Sequence, residues 1–378
     1  MHAHHRALHV AGPDLRLFGT RVPIFRLTAL SGAAVAVSLA VTLADAVGAS
    51  TGVEAMVCGS AIVTFVALAL ATKAIAGREI LVYYHHEVAV LIVTAVVATI
   101  FTGRPGRYLD VTALGLGACL AIGRVGCLFA GCCHGRPANR GIRYGRAHAR
   151  EGFPPWLVGL SLLPVQLIES IAVTGTVAIG VLVILDPDSP GAAFAWYVEA
   201  YAVLRFGLEW VRGDEERRYA AGLSEAQWLS LAVSVCVAAA GVAGLLPGGA
   251  VLIISPAILL LTGGAALVLR TSRRDLLDAG HLRETWRIAR EAAQALPGPV
   301  APAETSRGVV LSAGQTDGVE HWSLSHRSDS LMPRELRVFA DQVAAIRDHA
   351  AEEANVLHGS AGVIHVLLAD SLPMPAQR

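Results

Sequence analysis

Four polar residues at helical spacing stand inside a long apolar segment of the chain. Tyr201, Arg205, Glu209 and Arg212 are separated by four, four and three residues, so they share one face of a helix. Ionisable groups are costly in hydrocarbon and usually mark a functional site there. Glu209 is placed to hold Arg205 while leaving outer guanidinium donors for a phosphate. The alternative is a structural ion pair with an interfacial tyrosine.

A second arginine, Arg124, ends another apolar segment and stands between Gly123 and Gly126. Glycines allow the backbone to approach a headgroup closely. Two arginines brought together in hydrocarbon favour an anionic ligand, most simply a lipid phosphate. The structural alternative is an arginine that extends from a helix end towards the membrane surface.

Three further polar residues lie at the edges of apolar segments. His85 precedes the third segment, and histidine is a natural general base for a thiol or hydroxyl. A belt of aromatic and histidine side chains at the membrane interface is the alternative. Gln166 and Glu169 begin the fifth segment, three residues apart on one helical face. They are candidates to orient ligand-binding side chains, and a simple helix start explains them equally well.

A cluster of thiols follows the fourth apolar segment. It consists of Cys127, Cys132, Cys133 and His134. The spacing is not a standard zinc pattern, and adjacent cysteines do not easily face one tetrahedral ion. The sequence therefore predicts no metal and leaves two interpretations, a reactive thiol site or small packing residues. All 6 cysteines lie in apolar segments or in this loop, which argues against a disulfide scaffold.

The composition is that of a membrane protein. The 378 residues are 54% hydrophobic and only 16% charged, whereas soluble domains are about a quarter charged. The zero net charge argues against nucleic acid as a partner. Apolar runs of near membrane-spanning length predict helices and are too continuous for barrel strands. They cover residues 27–48, 53–75, 86–102, 110–129, 162–185, 191–211, 226–246 and 249–269.

These features predict an all-α polytopic membrane protein of seven or eight transmembrane helices, with a small C-terminal soluble α/β segment. In that segment we expect strands over 308–313 and 362–369 and a helix over 333–357. No cleavable signal peptide is predicted at the start of the chain. The predicted parts are a polar lead (1–25 or so), a membrane domain (26–270), an amphipathic helix (271–297), a linker (298–307) and a small domain of unknown function and partner (308–378).

Three blocks of sequence, in this order, resemble the prolipoprotein diacylglyceryl transferase family. They are 123–131 with Gly135-Arg136-Pro137, 164–169, and 201–212 with 227–230. The resemblance implies a multi-pass protein of the bacterial plasma membrane. It implies transfer of diacylglycerol from phosphatidylglycerol to the lipobox cysteine of a prolipoprotein signal peptide, with glycerol phosphate leaving. It requires no metal or organic cofactor.

The resemblance also implies roles for individual residues. Arg124 and Arg205 would bind the lipid phosphate and stabilise the leaving group, with Tyr201 beside the second arginine and His85 as the base. Seven further residues would contact the substrate or support its binding site. They are Gly123, Gly126, Gly135, Gln166, Glu169, Glu209 and Arg212.

Several polar positions of the family pattern are replaced in this chain. The replacements are Cys127 and Ala130 for asparagines, Cys132 for a glutamate, Leu163 for a histidine, Ile168 for a tyrosine, and His86-Glu87 for a Gly-Gly. The pattern indicates a divergent paralogue whose acceptor or lipid differs. Two other functions stay open: a membrane transferase with a cysteine nucleophile acting on another acceptor, and a non-enzymatic lipid-binding or redox-sensing membrane protein.

The arginine distribution and the resemblance predict opposite orientations. Arginines concentrate before the first apolar segment, between the fourth and fifth, between the sixth and seventh, and after the eighth. The positive-inside rule places those parts in the cytoplasm, whereas the resemblance places the loops outside. We adopt the orientation that the resemblance implies, because arginines that bind a ligand add to the arginine count of a loop whichever side of the membrane it occupies. The tail is then also outside if 249–269 crosses the membrane, and cytoplasmic if it does not.

Overall fold

Apolar helices make up most of the chain before residue 268. The computed structural model describes residues 8–77, 83–186, 189–215, 217, 219–247, 249–268, 275–316, 318–327, 331–347, 355–359 and 363–369. In chain order the helices of this part are α1 (Ile24–Ala46), α2 (Thr51–Ala76), α3 (Tyr83–Thr102), α4 (Gly106–Ala130), the short α5 (Arg146–Arg150), α6 (Val165–Ile184), α7 (Ala192–Leu208), α8 (Glu225–Val242) and α9 (Val251–Val268).

Seven of the described helices are long and apolar enough to cross a membrane. The remaining predicted span, 191–211, corresponds to α7, which has 17 residues and packs against α4, α6, α8 and α9. The predicted all-α polytopic membrane protein is therefore confirmed, and the helix ends differ from the predicted spans by a few residues.

Polar side chains at helix ends fix where several of these helices begin. The carboxylate of Asp110, in α4, accepts hydrogen bonds from the backbone N–H groups of Gly191 and Phe194 at 2.7 Å each. It thereby satisfies donors that the first turn of α7 leaves unpaired. Ser224 and Gln227 cap α8 reciprocally, as in a capping box.

Helix α4 occupies the centre of the bundle because small residues let its neighbours approach. A Cβ added at Gly115 would lie 3.0 Å from the carbonyl oxygen of Ala36 in α1, and one at Gly32 would lie 3.1 Å from that of Cys119. Close backbone approach of this kind is how helices associate where no water drives them together. The position of α4 matters because its C-terminal end carries Arg124.

The connections at one end of the bundle form short strands. The segment 131–164, here called the head loop, contains β4 (Pro137–Arg143), which pairs in parallel with β1 (Leu8–His9). Two hairpins adjoin it, β2 (Asp14–Leu17) with β3 (Thr20–Pro23), and β5 (Tyr219–Ala220) with β6 (Leu223–Ser224). The N-terminal strand, the head loop and the segment before α8 thus lie at the same end.

The tail, residues 275–369, is an α/β unit. Its elements are α10 (Ala279–Ala295), β7 (Ala303–Glu304), β8 (Val309–Thr316), β9 (Val319–His326), α11 (Pro333–Ile346), β10 (Asn355–His358) and β11 (Ile364–Ala369). The strands form one antiparallel sheet in the order β10-β11-β9-β8-β7. Strands near 308–313 and 362–369 and the amphipathic helix agree with the sequence pattern.

One tail element differs from its prediction. The helix expected over 333–357 ends at Ile346, and Asn355–His358 pairs with β11 instead. A strand partner in the sheet outweighs the local helical pattern here. Of the predicted tail elements, 271–274, 348–354, 362 and 370–378 lie outside the described residues.

The tail and the head loop share one hydrophobic core. Tyr144, Phe153 and Leu160 of the head loop are buried together with Trp322 and Phe339 of the tail. Shared burial requires both segments to lie on the same side of the membrane. Eight crossings produce that arrangement, because the head loop follows the fourth and the tail follows the eighth.

Candidate functional site

A cavity of about 1150 Å³ extends from the membrane-facing helices to the head loop. Its wall towards the middle of the bundle is apolar and comes from α1, α2 and α4. Among its lining residues, Leu30 of α1 is 71% exposed and Ile62 of α2 is 54% exposed, so the cavity opens sideways between these two helices. Its other end is polar and is lined by Arg124, Arg205 and Arg212.

Arg124 is tied to two residues from other helices. It is 7% exposed, and its Nε atom lies 2.9 Å from Oε2 of Glu169 in α6. The other carboxylate oxygen of Glu169 accepts a hydrogen bond from the Tyr201 hydroxyl of α7 at 3.1 Å. One carboxylate therefore connects α4, α6 and α7 and fixes both the arginine and the tyrosine.

Arg205 retains donors for a ligand. It is 6% exposed, and its Nη2 atom lies 2.7 Å from Oε1 of Glu209. Among the described residues, its Nε and Nη1 atoms have no hydrogen-bond partner. Buried donors without partners cost free energy, and an arginine with a free edge at a cavity is suited to a phosphate or carboxylate.

Arg212 belongs to a second layer of charges in the loop after α7. Its Nε and Nη2 atoms each donate to one carboxylate oxygen of Asp214 at 2.9 Å, the two-pronged geometry of a strong arginine pair. Burial acts to raise the pKa of Asp214, but the charge and hydrogen bonds of Arg212 together with the charge of Arg217 outweigh it and lower the pKa. Arg217 donates to the backbone carbonyl of Glu209 at 2.9 Å. This hydrogen bond fixes the backbone of Glu209 relative to the loop that follows α7.

His85 lies at the edge of the site, on the first turn of α3. Its Nε2 atom is 3.1 Å from Oε1 of Glu225, and its side chain is half exposed. Glu225 lines the cavity together with Tyr84. The structure therefore places the expected base beside the cavity wall, apart from the Arg124–Glu169–Tyr201 contacts.

The head loop carries the thiols and is held against the segment after α7. The backbone N–H of Gly213 donates to the carbonyl of His134 at 2.9 Å, and that of Arg136 donates to Val211 at 3.0 Å. Gln166 donates to the carbonyl of Cys132 at 2.7 Å. Gln166 thus holds the backbone of the head loop at Cys132, and its predicted role in orienting ligand-binding side chains stays a prediction.

The thiols face the same polar end of the cavity as the arginines. Cys127, Cys132 and Cys133 all line it. Hydrogen bonds from the other two thiols, with the nearby charges of Arg212 and Arg124, hold the pKa of Cys133 well below its usual range despite burial. A lowered pKa favours the thiolate, which is the nucleophilic and metal-binding form of cysteine.

The three glycines of the sequence motif differ in what surrounds them. A Cβ added at Gly135 would lie 2.4 Å from the backbone oxygen of Leu163, whereas one at Gly123 would meet no atom within 4 Å. At Gly126 the nearest atom is the Thr28 hydroxyl, at 2.0 Å. Gly126 and Gly135 therefore permit close packing, and Gly123 leaves space in the cavity that it lines.

This difference predicts opposite effects of two alanine substitutions on stability. Gly135→Ala forces apart two segments within the head loop, residue 135 and the backbone of Leu163, with an expected cost of about 1–3 kcal/mol. Gly123→Ala adds a good helix former in α4 without a clash, with an expected gain of about 1 kcal/mol or less. Thermal unfolding in detergent measures both. Equal destabilisation of the two variants would contradict the prediction.

Several polar residues of this site were not singled out from the sequence. Glu87 is buried and accepts a hydrogen bond from the Tyr197 hydroxyl at 2.7 Å. The available signals were its position inside an apolar segment and that of Tyr197 one turn before Tyr201. Asp214 and Arg217 lie in a loop, where no helical spacing indicates which side chains meet.

Taken together, the apolar helices and the side-opening cavity define a polytopic membrane protein with an internal cavity that ends at buried arginines. The sequence profile described as prolipoprotein diacylglyceryl transferase matches residues 17–243, which is more than half of the chain. The chain belongs to this family.

Individual relatives match a shorter stretch. A phosphatidylglycerol–prolipoprotein diacylglyceryl transferase of Dehalococcoides mccartyi (strain 195) is 31% identical over 126 residues, covering 33% of this chain and 46% of the relative. One of Clostridium tetani is 30% identical over 125 residues, covering 33% and 48%. The phosphatidylglycerol–prolipoprotein diacylglyceryl transferase 2 of Clostridium perfringens is 29% identical over 129 residues, covering 33% and 47%. The chain spans about half the length of the curated relatives it matches.

Proposed function

We propose that this protein transfers a diacylglyceryl group from phosphatidylglycerol to the lipobox cysteine of a prolipoprotein. The observation that carries the proposal is Arg205, a buried arginine at the polar end of a cavity open to the membrane side, with two donors that have no partner in the described part of the chain. The family supports the same activity, and the names of the relatives supply its two substrates.

The shape of the cavity suits a phospholipid. The acyl chains would lie along the apolar wall between α1 and α2, where exposed aliphatic side chains already face the membrane. The phosphate would then reach Arg205 and Arg124 at the polar end. Since Glu209 and Glu169 each occupy one side of these guanidinium groups, the arginines are held in place before the lipid binds.

The chemistry is a displacement at carbon. The acceptor thiolate attacks the diacylglyceryl carbon that bears the phosphate, a C–S bond forms, and the C–O bond breaks. The electron pair stays on the oxygen of the departing glycerol phosphate, where charge grows and the arginines stabilise it. Tyr201 donates to Glu169 and so helps to hold the carboxylate that positions Arg124, and His85 beside Glu225 is the candidate base for the thiol proton.

We place the protein in the bacterial plasma membrane, with the head loop and the tail on the outer side. The membrane assignment follows from the apolar helices. The outer side is where an acceptor signal peptide presents its cysteine, and the common side of head loop and tail follows from their shared core.

The test is transfer by the purified full-length protein in liposomes. Isotope-labelled phosphatidylglycerol and a lipobox peptide should yield a peptide heavier by one diacylglyceryl group, together with free glycerol phosphate. A peptide with serine in place of the acceptor cysteine should gain no mass. Phosphatidylglycerol that binds without any mass gain on the cysteine peptide would contradict the proposal.

A further inference from the structure

Three cysteine side chains converge at the polar end of the cavity and take no part in the arginine–carboxylate contacts. The Sγ atoms of Cys127, Cys132 and Cys133 all lie within 4.8 Å of one another. Thiolates that share a tetrahedral zinc ion at about 2.3 Å are about 3.8 Å apart. A movement of about an ångström or less therefore brings all three sulfurs to zinc-binding distance.

The backbone explains how two adjacent cysteines come to face one point. Gly131 ends α4 at φ 79, and Cys133 adopts φ 55, a left-handed conformation that non-glycine residues rarely take. Such conformations persist where the surroundings hold them and are concentrated at functional sites. Here the surroundings include Gln166, which donates to the carbonyl of Cys132. Adjacent cysteines in an ordinary backbone do not easily face one ion. The left-handed conformation at Cys133 brings both thiols of this turn to the same point.

The charges around the cluster suit zinc. Three thiolates and one Zn²⁺ ion together carry one negative charge, which a buried site must balance. Arg124 stands one helical turn before Cys127, and the charges of both Arg124 and Arg212 act on the Cys133 sulfur. Zinc accepts thiolate ligands readily and undergoes no redox change.

We propose that Cys127, Cys132 and Cys133 bind one zinc ion whose fourth position faces the cavity and takes the acceptor thiol. Three protein ligands and one open position characterise catalytic zinc sites, and a thiol that coordinates zinc is deprotonated outright. Its proton passes to the candidate base His85, and the electron pair on its sulfur then attacks the diacylglyceryl carbon as described above. The role of the acceptor thiol rests on the proposed function, whereas the metal site itself does not.

The first test is the zinc content of the full-length protein, purified without added chelator from zinc-supplemented cells. We expect about one zinc ion per chain, with X-ray absorption showing sulfur ligands. Cys132→Ser, which changes only the most exposed of the three thiols, should lower zinc occupancy about tenfold or more. Cys236→Ser, an exposed cysteine on α8, is the matched control and should keep its zinc.

Two outcomes of this measurement would overturn the metal site. One is equal zinc content in the Cys132→Ser and Cys236→Ser proteins. The other is a disulfide between two of the three cysteines in protein whose thiols were blocked at lysis, since that would assign the cluster to redox chemistry. Circular dichroism and phosphatidylglycerol binding establish that the Cys132→Ser protein is folded.

The second test replaces zinc with Co²⁺ and follows its absorption spectrum as the lipobox peptide is added. Coordination of the acceptor sulfur should strengthen the sulfur-to-cobalt charge-transfer band, and the peptide with serine should leave it unchanged. No spectral response alongside normal transfer by the zinc protein would overturn the role in thiol activation and leave the proposed function standing. A spectral response without transfer would support the site and contradict the proposed function.

Discussion

Arg205→Ala is expected to lower the rate of diacylglyceryl transfer by about 10²–10³-fold, the effect of removing one preorganised donor from a developing anion. The side chain is 6% exposed, and its Nε and Nη1 atoms have no partner among the described residues. These donors can strengthen their interaction as charge accumulates on the leaving oxygen. The initial rate of peptide modification in liposomes measures the effect.

Two variants separate this role from a structural one. Arg205→Lys keeps the positive charge beside Glu209 but loses the planar fork of donors, and we expect it to recover only part of the rate. Arg290→Ala removes an exposed arginine of the tail and should behave like the unaltered protein. A fully active Arg205→Ala protein with unchanged unfolding temperature would refute the assignment of Arg205 to the phosphate.

Asp341→Leu is expected to destabilise the tail and head loop by about 3–5 kcal/mol, because it leaves the buried Arg143 without its counter-charge. The two side chains are each 9% exposed, and Nη2 of Arg143 lies 3.2 Å from Oδ2 of Asp341. Arg143 also donates to the carbonyl of Gly159 in the head loop. Loss of the pair should therefore appear as earlier proteolysis of the head loop and a lower unfolding temperature.

The double variant Arg143→Met/Asp341→Leu is expected to regain most of that stability. Burial raises the pKa of Asp341 to about 6 despite the arginine, which indicates that desolvation of the carboxylate offsets much of the attraction. Apolar residues of similar size often replace such pairs without loss. If the double variant is as unstable as the single one, packing around these positions, rather than the unpaired charge, dominates.

The membrane helices could be predicted because their signal is local. Each needs only a run of apolar residues, and the pairing of Arg205 with Glu209 follows from a spacing of four on one helix. The Arg124–Glu169–Tyr201 contacts join three helices, so spacing alone cannot give them. Family resemblance named all three residues, and the structure shows that the Glu169 carboxylate is what connects them.

Other features depend on backbone details or on distant segments. The left-handed turn at Cys133 decides whether two adjacent thiols converge, and nothing in a cysteine pair specifies it. Likewise the sequence suggested separate membrane and tail domains, because composition changes after residue 270. The sequence of the head loop is typical of a polar connection. Its aromatic and aliphatic residues nevertheless form one hydrophobic core with residues of the tail, which follow much later in the chain.

That shared core also sets an order of events during synthesis. Arg143 and Asp341 are 198 residues apart in the chain, so the head loop leaves the ribosome long before its partner exists. Contacts between distant segments form slowly, and apolar surface that waits for them is exposed to proteases and to aggregation. The thiol and arginine end of the cavity therefore reaches its final form only after the tail has been synthesised and has docked on the head loop. A chain interrupted after α9 would carry Arg124, Arg205 and the three clustered thiols and still hold an unfinished site.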